Sequence, residues 1–277
     1  IMEQIHLKKR LGQHILKDES ILQYIAESCL LTPQSVVLEI GSGVANLTER
    51  LAQRAGKVIA VELDEQFRIF HLRLALHHSN VEFIYQDIMD LDIAQIPAIK
   101  EAEDFVITGN IPYNITTPLI MKALECPIKF RTMVLMVQKE VAVRLTTQAH
   151  KSDTGAITLK VQYYCEASIL RFIPSKFFHP MPKVDSAIVQ FEPKPTAPYD
   201  ENTRRAFFHF LDGAFLQKRK TILNSLGNWL HGKIERKELS AVLEAAGINP
   251  MSRAENISLE MFRRLFEDLA QFKNKNL

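Results

Sequence analysis

The stretch GNIPYNITTPL places an amide, a residue without a backbone donor and a large aromatic ring, Asn110, Pro112 and Tyr113, directly after the apolar run FVIT. Asn-x-Pro is ordinary turn chemistry at the end of a strand, but a turn favours something smaller than Tyr113. Pro112 has no N–H and restricts Ile111 to an extended shape. The Ile111 carbonyl and the Asn110 side-chain oxygen then form two acceptors facing one way, a match for the two hydrogens of an exocyclic amine. Tyr113 supplies a stacking face for the ring that carries the amine. An adenine amine is a poor nucleophile because its lone pair is delocalised into the ring. Hydrogen bonds to both protons favour a tetrahedral nitrogen with the lone pair aimed at an incoming methyl group. Catalysis of that kind is mostly orientation plus stabilisation of growing positive charge, and needs no strong base. A base reaching such a pocket must leave its stack, which implies single-stranded or flipped nucleic acid.

Three other strand ends carry matching chemistry. SVVLEI runs into EIGSGVANLTERL, where Gly41 and Gly43 let backbone amides approach a ligand at the carboxyl end of a sheet. The third glycine of the dinucleotide fingerprint is missing, since Val44, Ala45 and Asn46 occupy that region, so a cofactor without a diphosphate fits better. Glu62 ends the next strand and can accept both hydroxyl protons of a ribose; Asp87 ends the third. Any one such acid is ordinary as a helix cap or a solvated turn. Glycine, acid and acid on three successive strand ends describe a nucleoside pocket, with ribose on Glu62, an adenine amine on Asp87 and an amino-acid tail beside Gly41.

The elements that must position these residues alternate. Short aliphatic runs at 35–40, 57–63, 81–87, 104–110 and 132–138 are separated by helical patterns, notably 47–54, 65–77 and 118–125. That alternation predicts a parallel sheet covered on both faces. Asp18 caps a first helix whose apolar residues are Ile21, Leu22, Ile25, Cys29 and Leu30. Helices over 139–149 and 156–164 come next, then the strands ASILRFI and SAIVQFE as an antiparallel edge addition. EPKPTAPYD, with three prolines in nine residues, reads as a domain boundary, and helices follow at 203–215, 218–230, 236–246 and 259–272.

The totals exclude several classes. A chain of 277 residues, 47% hydrophobic and 24% charged, suits a globular protein of two domains, and no apolar run approaches the ~18 residues of a membrane span. No export signal is read near the start. Cys29, Cys126 and Cys165 are scattered and odd in number, which suits a reducing cytoplasm and offers neither a disulfide framework nor a metal cage; His77 and His78 read as solvated helix-end residues. Residues 201–277 hold 13 Lys and Arg against 9 Asp and Glu, whereas the preceding 200 carry 21 against 23. Lys218, Arg219 and Lys220 are the densest basic point, with a second triplet at Lys8, Lys9 and Arg10. Such clusters serve as solvated faces or as nucleic-acid contacts.

The blocks KKRLGQHILKD, EIGSGVANLTE, VELD, QDIMD, GNIPYNITTPL, MVQKEVAVRL, FHPMPKVDSAIV, AFLQKRKTILNSL and NPMSRAENIS, in that order, resemble the small-subunit ribosomal RNA adenine dimethyltransferases of the KsgA type. The resemblance covers nearly the whole chain. It implies a Rossmann-like methyltransferase fold, a mostly parallel sheet with helices on both faces, over residues 1–195. A small all-helical RNA-binding domain would occupy 196–277. It implies S-adenosylmethionine as cofactor and no metal. The substrate would be two adjacent adenosines near the 3′ end of small-subunit ribosomal RNA, met in a pre-ribosomal subunit by a cytoplasmic monomer.

His14 and Leu16 match the family's opening cofactor motif, although by composition His14 reads as a surface residue. Gly41, Glu62, Asp87 and Asn110 match the remaining cofactor contacts. Phe178 matches an aromatic that helps to hold the target base, its alternative being a core phenylalanine beside Phe177. Lys218, Arg219 and Lys220 would lie on the helix presented to RNA, where phosphate contact makes affinity salt-sensitive. Ile15 stands where an aromatic is usual and Ala45 where glycine is common, both expected to change packing around the donor and not the chemistry. The rival readings are a large-subunit adenine methyltransferase of the macrolide-resistance type, and a non-catalytic RNA-binding assembly factor or a transcription factor with a helical tail.

Overall fold

The computed structural model describes residue 7 and residues 13–148, 152–195 and 198–275; Lys8, Lys9 and Arg10 lie outside them. In chain order the elements are β1 (Ile15–Leu16), α1 (Glu19–Ser28), β2 (Ser35–Ile40), α2 (Asn46–Ala52), β3 (Lys57–Glu62), α3 (Arg68–Ala75), β4 (Val81–Tyr85), α4 (Pro97–Lys100), β5 (Asp104–Asn110), α5 (Thr116–Glu125) and β6 (Thr132–Gln138). They continue with α6 (Lys139–Thr146), α7 (Ala156–Tyr164), β7 (Cys165–Ile173), β8 (Phe178–His179), β9 (Ser186–Pro193), α8 (Glu201–Phe215), α9 (Ile222–Trp229), α10 (Arg236–Ala245) and α11 (Leu259–Lys275).

By mutual contact the chain divides into two units, Ile1–Ala142 with Glu166–Pro193, and Val143–Cys165 with Lys194–Leu277. The first is built on a seven-stranded sheet of order β4-β3-β2-β5-β6-β9-β7. β2, β3, β4, β5 and β6 pair in parallel, and β9 joins β6 antiparallel with Ser186 opposite Gln138. Val37, Val58, Val106, Val134 and Ile188 pack against Ile21, Leu22 and Ile25 of α1 and Leu47 and Leu51 of α2. The alternate residues Leu38, Ile59, Ile107 and Leu135 are equally buried, so the sheet is covered on both faces, which is why these strands read as continuous apolar runs.

Strand order reverses between β2 and β5, the place where an open α/β sheet leaves a crevice beyond its carboxyl ends. The two strands approach closely there. A Cβ at Gly109 would stand 2.3 Å from the Ile40 carbonyl oxygen, so only glycine lets β5 run alongside β2 to this point.

Several boundaries differ from the sequence expectation. Asp18 does cap α1, its Oδ1 accepting the Ile21 N–H at 3.0 Å, but the helix ends at Ser28 and Leu30 turns outward with φ +50°. The helix expected over 65–77 opens as a 3-10 turn, Glu65–Phe67, and ends at Ala75. A two-stranded antiparallel sheet, β1 with β8, was not anticipated, because strands of two residues carry no periodicity.

In the second unit α7 joins the C-terminal helices instead of the sheet. Tyr163 and Tyr164 meet Phe208 of α8 edge-on at 5.2 and 5.8 Å between ring centres, and this aromatic packing groups residues 143–165 with the helices, unlike the two consecutive segments expected. The division otherwise falls at Pro193, inside the proline-rich stretch. Gly213 of α8 lies against the Trp229 indole, which a Cβ would meet at 2.4 Å.

Candidate active site

β2 runs into a loop in which Gly41, Gly43 and Ala45 have φ of +78°, +51° and +65°. Glycine takes this left-handed backbone freely, whereas Ala45 takes it at a steric cost. The loop is tied to the end of β3. The Gly43 N–H donates to Glu62 Oε2 at 2.8 Å, and the Asp64 N–H to Oε1 at 2.8 Å. Glu62 is buried, and burial holds its carboxyl above the usual range. These backbone donors hold the carboxylate in place without using all of its acceptor sites. After β4, Asp87 Oδ1 accepts the Met89 N–H at 2.8 Å.

The segment before β1 lies across these strand ends. Gln13 Nε2 donates to Asp64 Oδ2 at 2.8 Å. The His14 carbonyl accepts Asn110 Nδ2 at 2.8 Å, which commits the amide nitrogen to a backbone partner and leaves Oδ1 as an acceptor. His14 Nδ1–H donates to the Pro180 carbonyl at 2.7 Å, and its ring stacks on Tyr113 with centres 5.4 Å apart. On the other side of the phenol, the Tyr113 hydroxyl and Ser186 Oγ are 2.9 Å apart. The Ile111 N–H donates to the Met136 carbonyl at 3.1 Å and its side chain is buried, so the backbone preceding Pro112 is held from both ends.

These groups enclose one cavity of about 240 Å³. The sequence-selected residues brought together in its lining are His14, Leu16, Gly41, Gly43, Glu62 and Asp87, with Asn110, Ile111, Pro112 and Tyr113. Phe178 is not among them. It is 4% exposed, lies opposite Leu16 in the β1–β8 pair and belongs to the same buried cluster, with Phe177 packed at its margin. Its position is that of the alternative reading, a core phenylalanine beside Phe177, and not that of a residue lining the cavity. The alternation of β8 turns Phe178 into the core and leaves its neighbour His179 exposed. Lys218, Arg219 and Lys220 are exposed, but they occupy the turn between α8 and α9 and not a helix. Thr221 starts α9 instead, its side chain accepting the Asn224 N–H.

Two functional candidates escaped the sequence reading. Glu39, inside the apolar strand β2, lines the cavity, and burial pushes its carboxyl up to about 8. Its Oε2 has no hydrogen-bond partner among the described residues. An acid in a run otherwise reading as buried strand was the available signal. His71 is 1% exposed and lies flat on Phe83, ring centres 4.1 Å apart. Its Nε2–H donates to the Gly43 carbonyl at 2.8 Å, and its Nδ1 accepts from the Tyr85 hydroxyl at 2.8 Å. Burial lowers this imidazole to about 4, so a neutral ring holds the glycine loop from behind. Only its spacing of four from Phe67 on the buried helical face hinted at this.

The sequence profile described as ribosomal RNA adenine dimethylase matches residues 4–271. A protein of Geobacillus thermodenitrificans named ribosomal RNA small subunit methyltransferase A is 38% identical over 261 residues, 93% of this chain and 89% of the relative. Its namesake in Anoxybacillus flavithermus is 37% identical over 265 residues, 95% and 90% of the two chains. Among solved structures, a dimethyladenosine transferase from Plasmodium falciparum superposes with a TM-score of 0.77 at 29% identity, covering 95% of this chain and 98% of that one. The 23S rRNA methyltransferase ErmE gives 0.71 at 27%, covering 93% and 100%.

Proposed function

Because this chain belongs to the ribosomal RNA adenine dimethylase family, we propose that it dimethylates the exocyclic N6 amines of two adjacent adenosines near the 3′ end of small-subunit ribosomal RNA. S-adenosylmethionine supplies the methyl group as an electrophile on a sulfonium. The substrate is met within a pre-ribosomal subunit, and the enzyme acts as a cytoplasmic monomer. The small-subunit target is favoured over a large-subunit one by the relatives at 38% and 37% identity.

The cavity suits that cofactor. The turn at Gly41 and Gly43 exposes backbone beside a buried carboxylate, Glu62, with acceptor capacity for two ribose hydroxyls. Asp87 keeps its second oxygen for the adenine amine of the cofactor. His14 and Leu16 would flank the amino-acid end, and the unpartnered Glu39 oxygen is an acceptor in the same lining.

The observation that carries the reading is that Asn110, its amide nitrogen committed to the His14 carbonyl, lines the same cavity as Glu62. Its Oδ1 accepts one proton of the target amine and the Ile111 carbonyl accepts the other. Two acceptors preset by the fold would need little reorganisation as positive charge grows on the nitrogen. Tyr113, backed by His14 and held through Ser186, stacks on the adenine ring. As the N–C bond would form and the C–S bond break, the cofactor would leave as its neutral thioether. The cationic nitrogen would lose its proton to solvent afterwards, so no residue has to remove a proton before methyl transfer. Lys218, Arg219 and Lys220 contact RNA phosphates.

Incubation of the purified chain with each unmethylated ribosomal subunit and labelled cofactor, followed by mass spectrometry of the labelled RNA fragment, tests this. Two dimethyladenosines in the small-subunit RNA are expected. Label confined to large-subunit RNA would overturn the assignment.

A further inference from the structure

The carboxyl edge of the sheet continues past the Asn110 site. Beyond β5 lie β6, β9 and β7, and each delivers a group to that edge. β6 is followed at once by Lys139, exposed, whose backbone N–H donates to the Asp185 carbonyl at 2.9 Å. β9 starts with Ser186, the partner of Tyr113. On β7, the outermost strand, Phe172 stands one residue before the strand's end and is 49% exposed. The Lys139 ammonium lies 5.3 Å from the centre of its ring, within cation–π range.

A lone exposed phenylalanine calls for no explanation. This one sits on an edge strand, where sheets ordinarily place charges to blunt the edge, and it is coupled to a cation next to the candidate site. The loop between β8 and β9 adds exposed Met181, Lys183 and Val184. The acids nearby are Glu140 and Asp185. Asp185 Oδ1 accepts the Ser175 N–H at 2.9 Å and so is engaged by the turn that follows β7.

We propose that Phe172 and Lys139 form a second stacking platform, which holds a single-stranded nucleotide flanking the target adenosine. The base lies on the Phe172 ring, and the Lys139 ammonium, already over that ring, meets the adjoining phosphate. This rests on the ribosomal RNA methyltransferase reading and extends its substrate path. β7 is three strand spacings from β5, roughly 14 Å, a span that the nucleotides next to a base seated at Tyr113 must cross. Extruding the target also unstacks its neighbours, and an aromatic surface of any sequence preference compensates them. An aliphatic side chain would cover the edge strand equally well but would offer no π-face to a base or to Lys139.

The test compares the full chain with Phe172→Ala and Phe172→Trp on the unmethylated small ribosomal subunit. Phe172→Ala should raise the KM for RNA about five-fold or more, with kcat at saturating RNA and the Kd for S-adenosylmethionine unchanged. Phe172→Trp should restore the KM. Direct RNA binding without cofactor distinguishes loss of the reaction from loss of the platform. Absence of methyl transfer by the parent chain would overturn the assigned reaction. Equal RNA affinity in the parent and Phe172→Ala, or a defect that Trp does not restore, would overturn the platform.

Discussion

Replacing Glu39 by Gln should stabilise the cofactor-free protein, and by an amount that grows with pH. Glu39 is buried in β2, and burial raises its folded carboxyl to about 8 from the 4.5 ordinary for a glutamate. Between those limits the folded chain keeps a proton that the unfolded chain releases, so stability falls as pH rises, with a slope of ~1.4 kcal/mol per unit. Below pH 4.5 both states are protonated and the loss is absent; by pH 7 it amounts to about 3 kcal/mol and levels off near pH 8 at roughly 5 kcal/mol. Gln has the shape of the protonated acid and does not titrate. Urea unfolding of parent and Glu39→Gln at pH 5, 6, 7 and 8 should therefore give free-energy curves that diverge steadily. A constant gap across that range would refute the burial argument. The acid costs stability in an otherwise apolar strand, which fits a residue kept for its ligand. Titration of S-adenosylmethionine into the same samples should find weaker binding to Glu39→Gln.

Asn110→Ala should cut methyl transfer about 100-fold or more by removing one positioned acceptor, while filter binding finds RNA affinity nearly unchanged; full activity would refute the grip on the amine. Neutralising Lys218, Arg219 and Lys220 together should weaken RNA binding and flatten the log–log salt dependence by about 2 if each meets a phosphate, and an unaltered slope would dismiss them as contacts. His71→Phe should weaken cofactor binding measured by titration yet leave kcat at saturating cofactor unchanged. Burial lowers the parent's His71 to about 4 when folded, from the 6.5 ordinary for a histidine, so stability is lost as pH falls between those limits, and the variant should lack that acid-side loss in urea unfolding. Gly213→Ala gains helix propensity of ~1 kcal/mol but drives a methyl into the Trp229 indole, so a net loss of the order of 1 kcal/mol is expected. The chain's single tryptophan reports it directly by fluorescence during unfolding.

The strands, the cap at Asp18, the Gly41–Gly43 turn and the acids ending β3 and following β4 were legible because each is local. An apolar run, a capping residue or a glycine pair carries its signal within a few positions. The candidate site was legible for a related reason, since in a parallel sheet every strand end reaches the same edge whatever the details of packing. Sequence by itself thus determined which chemistry meets there: Glu62, Asp87, Asn110 and Tyr113.

Tertiary structure alone decided how those groups are held. The His14 carbonyl fixes the Asn110 amide across 96 positions, Ser186 holds Tyr113 across 73, and His71 supports Gly43 across 28. It also decided that Phe178 is core, that the basic triplet occupies a turn, and that α7 packs with the C-terminal helices. None of these has a local signature. Each depends on which side chains distant segments bring into contact and on how far that contact excludes water, and the same exclusion moves Glu39 and His71 away from their ordinary titration ranges.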